Sequence, residues 1–568
     1  MAIGRYLAAA VIWWGVAAPG AAQQPPVQAK TGPDIVVQGL SDTPSAWRRA
    51  ESAHVIVTSK GSEAELKRVT NTLERLYALM ARLYHRTNAA DDTVKLQVTL
   101  VDSADFFKAM KLRNLRSEEG PYATTFAGER YYDPREDGPV LAVARTDQVI
   151  KLSTALAEDR DLEDGSTSTN DEASGGTSMM GAMARAPIAR RWEAVLYSAF
   201  AQHFLLTYVP AAYPRWYLDG VGALFSTLEV RRDGKVDYAR DPLDYRQVFN
   251  AYGPLRVKPI ITGEYLQGDT GKMRWTPYHA WLLTHFFLFS QLKPERSAQF
   301  QRYMAAIGQG VPMAEAAKVF GDLSRLQHDL DIYQERGTEY ARADAVPPPG
   351  GDPSINVVPR SSAAVIEARL ELGTRLAAAP ADSGWVARLH DTVADLPYNP
   401  EALLTQAEVE CRAGQNAACL ESAERVLARA PDNIRALAWK GIALTHQALA
   451  GPTADRVAAL KAARVPIVRA LRIDNDTPLP LLAFFNSYAE AGEPVPDQAM
   501  LGLVKVTQEV PAAPGPRLLL AQELVRQGHA DLARQVLIPV LYGGYDSPEK
   551  TRAQALLAAS GAAQHAAR

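Results

Sequence analysis

Apolar positions recur along this chain first with a period of two and then with a period near four, and the order of these patterns predicts its elements. Residues 54–58 are a β-branched run around Val55, Ile56 and Val57 and read as a short strand. Between about 63 and 84, Leu66, Val69, Leu73, Leu76 and Met80 fall on one stripe, which predicts a helix. Residues 94–101 alternate apolar and polar side chains, the mark of a half-buried strand. Asp102 or Ser103 is placed to cap a short helix through Met110, and 124–127 and 140–144 read as strands joined across the Asp-Pro-Arg-Glu-Asp-Gly turn at 133–138. A small mixed sheet is therefore expected first.

The pattern then lapses. Residues 157–186 are polar and low in complexity, and predict a flexible insertion that serves either as a lid or as a tolerated surface loop. From 190 to 208 helical periodicity returns: Trp192, Leu196, Ala199, His203 and Leu206 share a face that Val195, Phe200 and Phe204 widen, so the helix is expected to be buried. Pro210 and Pro214 end it, and a second helix begins near Arg215 or Trp216 and carries Asp219. Further helices are expected at 276–292, 295–307, 313–320 and 323–337. Clustered Pro and Gly make 344–360 a linker between a first domain at 45–343 and a second at 361–562.

In the second domain strand signals nearly vanish, and similar stretches recur. Leu-Pro-Tyr-Asn at 396–399 and Ala-Pro-Asp-Asn at 430–433 stand 431 − 397 = 34 residues apart, with Leu403, Ala407, Gly414, Leu420, Ala423 and Leu427 spaced between them as two helices and a turn require. A second pair starts near Ile434, stretched around Gly451-Pro452, and another lies at 517–541. The unit resembles a tetratricopeptide repeat in about three to five copies. That resemblance implies a superhelix with a concave surface for a protein or peptide segment, or else a helical spacer.

Composition narrows the function classes. Of 568 residues, 47% are apolar and 22% charged, with a formal net charge of −3, so nothing in bulk points to nucleic acid. Residues 1–22, with Arg5, an apolar run and small residues at the end, read as a secretory signal cleaved near Ala22, with an uncleaved anchor as the alternative. Residues 23–44 read as a flexible lead-in, no transmembrane helix is expected, and the mature protein is expected to be periplasmic or secreted. Cys411 and Cys419 flank the turn at Gly414, where a bridge and two reduced thiols are equally compatible with the spacing. No Gly-x-Ser-x-Gly elbow, Walker-type loop or paired Cys-x-x-Cys occurs, and Gly220-x-Gly222 lacks the context of a dinucleotide loop.

The order of elements at about 45–340, with Tyr-Ser-Ala-Phe-Ala-Gln-His-Phe at 197–204 and Pro-Arg-Trp-Tyr-Leu-Asp-Gly at 214–220, resembles the gluzincin-type metallopeptidases of the peptidase MA group. In that family a helix carries His-Glu-x-x-His, whose two histidines share one face and bind zinc while the glutamate activates water, and a later glutamate completes the ligands. The resemblance places the histidines on Ser198 and Gln202, the glutamate on Ala199 and the third ligand on Asp219, with Phe200 and Ala201 between. It therefore implies a lost zinc site and no cofactor, because Ser and Gln are poor zinc ligands and Ala transfers no proton. His203 lies about 100° further round the helix, and its bland reading is a partly buried histidine with one hydrogen bond. Tyr278, His279 and His285 lie on a later helix as weaker candidates.

The expected fold class is α+β, a zincin-like domain followed by an all-α tetratricopeptide-type superhelix. The expected function is protein binding or scaffolding by an inactive peptidase homologue. The alternatives are an active metal-dependent peptidase or hydrolase with a non-standard site of His203, Asp219 and Tyr278 or His279, and an envelope component in which only the repeats matter. The sequence leaves the oligomeric state open.

Overall fold

A computed structural model describes residues 42–86, 94–103, 106, 130–150, 188–242, 256–266, 270–290, 294–378, 383–542 and 548–566. The expected signal segment, most of the lead-in, the strand at 124–127, most of the short helix through Met110 and the insertion at 157–186 lie outside them. Among the described residues, no helix is long and apolar enough to cross a membrane.

The protein is α+β, with a small mixed sheet first and helices after it. Six strands, β1 (Pro44–Glu51), β2 (Val55–Ser59), β3 (Leu96–Val101), β4 (Arg130–Arg135), β5 (Gly138–Ala144) and an edge strand at Ser354–Pro359, order as edge strand, β1, β2, β3, β5, β4. β2, β3 and β5 are parallel, with Val57 opposite Val98 and Val98 opposite Leu141, while β1 and β4 run antiparallel to their neighbours. Helix α1 (Glu63–Leu83) connects β2 to β3, and its stripe of Leu66, Val69, Leu73, Leu76 and Met80 is buried as the periodicity predicts. Ser62 caps it by accepting from Glu65 N–H at 3.2 Å.

The structure differs from the sequence pattern at two strands. Residues 133–135 belong to β4 rather than to a six-residue turn; Pro134 is tolerated because β4 is an edge strand, and the reversal needs only Glu136 and Asp137, with Gly138 at φ 137°. Part of the segment expected as a linker, Ser354–Pro359, instead pairs with β1, Glu51 opposite Ser354. The prolines before it keep out of the ladder, while the run Ile355-Asn356-Val357-Val358 suits extended backbone.

Glu74 sits fully buried on α1, where its carboxylate accepts from Ser52 Oγ at 2.6 Å and His54 N–H at 2.8 Å and lies 2.7 Å from His54 Nδ1. Burial alone would raise its pKa, but the His54 hydrogen bond and charge and the Ser52 hydroxyl outweigh it and hold the group below its ordinary value of 4.5. A lowered carboxyl pKa gives stability that is complete above the unfolded value and is lost as pH falls through the folded one. Glu74→Gln is therefore expected to lose part of its stability at pH 7, by about 1–3 kcal/mol, and to show a flatter decline below pH 4.5 in urea titrations than the parent chain.

The helical half of this first unit is built on α2 (Trp192–Tyr208) and α3 (Arg215–Ser226), followed by α4 (Val257–Thr262), α5 (Thr270–Phe289), α6 (Pro294–Gly308) and α7 (Leu323–Arg336). The helix expected at 313–320 is one α turn, Met313–Ala316, running into a 3₁₀ turn at Ala317–Phe320. One continuous hydrophobic cluster joins the sheet, α1, α2, α3 and α5.

From Ile366 onward the described residues are helical: α8 (Ile366–Ala378), α9 (Ser383–Ala394), α10 (Pro400–Arg412), α11 (Asn416–Leu427), α12 (Ile434–Ala450), α13 (Arg456–Ile473), α14 (Pro478–Ala489), α15 (Asp497–Glu509), α16 (Pro514–Arg526), α17 (Ala530–Leu541) and α18 (Pro548–Ala566). This is a helical repeat region. The two asparagines that mark the 34-residue spacing, Asn399 and Asn433, are N-caps of α10 and α12 and accept from Ala402 N–H at 3.1 Å and Ala436 N–H at 2.9 Å. Cys411 and Cys419 form a disulfide across the turn, where Gly414 adopts φ 75°. The repeat region touches the first unit at several places: Leu370 packs with Tyr131, Val140 and Ala142 of the sheet, Val94 N–H donates to Glu509 O at 3.1 Å, and the Tyr542 ring lies against Gly310.

Candidate functional site

α2 has no polar face, and all its residues but Ala194 and Leu206 are buried. Such a helix must be surrounded. α1 covers it on one side, with the Tyr77 ring 5.5 Å from that of Phe204, and α3 on another. Asp147, from the loop after β5, accepts from Trp192 N–H at 3.1 Å and so tethers the start of α2.

α3 lies very close to both neighbours because it carries two glycines on opposite sides. A Cβ on Gly222 would stand 2.7 Å from Ser198 Oγ and 3.0 Å from Gln202 Nε2 of α2. A Cβ on Gly220 would overlap Thr284 Oγ1 and come within 2.6 Å of Ala280 O on α5. The Asp-Gly-Val-Gly run is thus a packing device.

This approach brings together three of the positions singled out in the sequence. Ser198 and Gln202 both border Gly222, and Gln202 Nε2 donates to Leu218 O at 3.1 Å and reaches Asp219 Oδ1 at 3.4 Å. Ala199, at the glutamate position, is buried and presents only a methyl group.

The decisive neighbour was missed by sequence reasoning. Arg130, at the start of β4, donates from Nη2 to Gln202 Oε1 at 2.6 Å, and its charge acts on Asp219. Arg215 Nε lies 3.5 Å from Asp219 Oδ2, with only 4% and 3% of the two side chains exposed. Burial raises the Asp219 pKa, and the attraction of Arg215 and then Arg130 only partly opposes it. The signal that could have found Arg130 is Arg-Tyr-Tyr ahead of a turn, an alternating edge strand.

These donors do not fit zinc. One carboxylate, one amide and one hydroxyl are offered where three anionic or imidazole ligands are needed, and two guanidinium groups already occupy the carboxylate and the amide. Among the described residues, no group of three or more His, Cys, Asp or Glu is placed to hold a metal.

The histidines go elsewhere. His203 is fully buried rather than partly, its Nδ1 is 3.0 Å from Tyr132 Oη and 3.2 Å from Thr207 Oγ1, and desolvation lowers its pKa to about 3. It is a neutral core histidine. His285 Nδ1 lies 2.7 Å from Tyr333 Oη while Nε2 is 3.1 Å from both Ala239 O and Glu339 O, so Nε2 carries the proton and the ring pins α5 to the loops beside it. His279 is half-buried, with a pKa lowered to about 4 by desolvation. Tyr278 lies on α5, and its side chain is outside those described.

No family model matches this chain. No curated protein matches it either. Among solved structures it is similar to a thermophilic TPR protein of Thermus thermophilus, at 20% identity over 31% of this chain and 89% of that one, with a TM-score of 0.28. A likeness that slight assigns neither fold nor function.

Proposed function

We propose that this chain is an exported, catalytically inactive relative of the gluzincin-type metallopeptidases, acting in protein binding or scaffolding through its cleft and its repeat array. The observation that carries the reading is the Arg130–Gln202 hydrogen bond of 2.6 Å beside Asp219. The three positions that would carry zinc in an active relative converge, and a guanidinium cation supplies positive charge among them. Ala199 removes the general base as well.

The proposed division is a pseudopeptidase unit at 45–343 and a tetratricopeptide-type unit at 361–562. Export is supported by the signal-like residues 1–22 and by the Cys411–Cys419 bond, since disulfides persist in oxidising compartments. The partner is a protein or peptide segment taken by the repeats.

The test is a peptide library incubated with the full chain, with zinc added and with chelator. No chelator-sensitive cleavage is expected. Cleavage that chelator stops and that Asp219→Asn abolishes would overturn the reading.

A further inference from the structure

Helix α13 is built from two kinds of side chain. Its 18 residues carry Arg or Lys at five positions and otherwise only aliphatic residues and one proline, with no acidic and no neutral hydrogen-bonding side chain. The inner side is fixed. Leu460, Ala463, Pro466, Ile467 and Ala470 are buried, and Ile467 fills the place that a Cβ on Gly441 of α12 would need. Arg464 is also turned inward, donating to Ser487 O and to Glu493 at 2.7 Å each. The outer side therefore belongs to a helix locked in place.

That outer side is apolar where a solvent-facing helix is ordinarily polar. Val457 and Val465 are 76% and 64% exposed, more than any other large apolar side chain among the described residues, and Ile473 is 45% exposed. At 3.6 residues per turn these three share about 160° of the helix surface with Lys461, Arg469 and Arg472, all exposed, and with two exposed alanines. Arg469 pairs with Asp432 at 2.6 Å, whereas Lys461 and Arg472 make no ion pair among the described residues. Beyond the helix, Asp474 accepts from Asp476 N–H at 2.8 Å and Thr477 Oγ1 at 2.7 Å, and Asp476 pairs with Lys505, so both acids are engaged. Asp455, just ahead of the helix, is exposed. A protein partner would meet cations and valines with no neutral hydrogen-bonding group to fix its register. A bilayer asks for no register: aliphatic side chains enter between headgroups while long cationic ones reach the phosphates.

We propose that the outer face of α13 is a membrane-contact surface that lays the repeat region on a bilayer of anionic phospholipid, with the helix axis in the interfacial plane. Val457, Val465 and Ile473 enter the headgroup boundary, and Lys461 and Arg472 reach the phosphates around them. The contact is peripheral, in keeping with the absence, among the described residues, of a helix long and apolar enough to span. It goes beyond the proposed protein-binding role and does not depend on it.

The test is co-sedimentation of the full chain with vesicles of phosphatidylcholine alone or mixed equally with phosphatidylglycerol. Binding is expected to the mixed vesicles only, and it should fall at least about ten-fold when Lys461→Gln and Arg472→Gln are combined, because each basic residue near an anionic surface contributes about five-fold. Val457→Asn with Val465→Asn keeps every charge and is expected to weaken binding at least about five-fold through the lost apolar surface. All four positions are exposed, so these variants are expected to fold as the parent does. A second readout is spectroscopic. Val465→Cys labelled with an environment-sensitive nitrobenzoxadiazole group, the native cysteines being paired, should shift its emission to the blue on the mixed vesicles and not with soluble glycerophosphate. Equal sedimentation with the two kinds of vesicle, equal binding by parent and variants, or an unshifted label on the bound chain would overturn the proposal. Capture of a protein by this face, with no binding to either vesicle, would overturn it as well.

Discussion

Gly220→Ala is expected to destabilise the protein by about 3 kcal/mol or more, the upper end of overpacking costs, because the new methyl meets backbone as well as side chain. Thr284 Oγ1 could rotate away, but Ala280 O, 2.6 Å from the Cβ position, belongs to the α5 ladder and can move only with the helix. Gly222→Ala is expected to cost less, about 1–2 kcal/mol, since its two nearest contacts, Ser198 Oγ and Gln202 Nε2, are side-chain ends and Ser198 O stands off at 3.2 Å. Gly308→Ala on α6 is the control: nothing lies within 4 Å of its Cβ position, and the change should be neutral or stabilising by a few tenths of a kcal/mol. Urea unfolding of the three variants checks the order. If Gly220→Ala matched Gly308→Ala, α3 would not be wedged as described.

Asp219→Ala is expected to cost about 3–5 kcal/mol, the usual consequence of stripping one partner from a buried ion pair. Arg215, only 4% exposed, would keep its charge without the Asp219 carboxylate beside it, and Gln202 Nε2 would lose one of the two acceptors it faces. Asp219→Asn should cost much less, because burial already raises the Asp219 pKa and a neutral side chain of the same shape keeps an acceptor. Replacing Arg215 and Asp219 together by Met and Leu should recover most of the loss in equilibrium unfolding. A catalytic or ligating Asp219 behaves differently: the asparagine variant would lose function at full stability.

Both predictions concern residues that local pattern made visible. The α1 stripe, the buried α2, Asp219 on the next helix and the paired asparagines are legible because helical periodicity and capping are local signals. What escaped is non-local or chemically mixed. β4 contains Asp133, Pro134 and Arg135, which composition assigns to a turn, and only its place at the sheet edge makes them strand. Arg130 meets Gln202 across 72 residues, and β1 pairs with Ser354–Pro359 far along the chain, separations at which nothing in either segment names the partner. Glu74 breaks its helix's apolar side, and its three hydrogen bonds come from a strand connection that no helical pattern reports.

The proposed loss of zinc binding, with the Arg130 guanidinium on Gln202 beside Asp219, has a direct measurement. The full chain, purified without chelator, is dialysed against zinc, freed of excess and assayed by elemental analysis alongside Gln202→Ala and Asp219→Asn. Far less than one zinc per chain is expected in all three. One zinc per parent chain, lost in both variants, would contradict it.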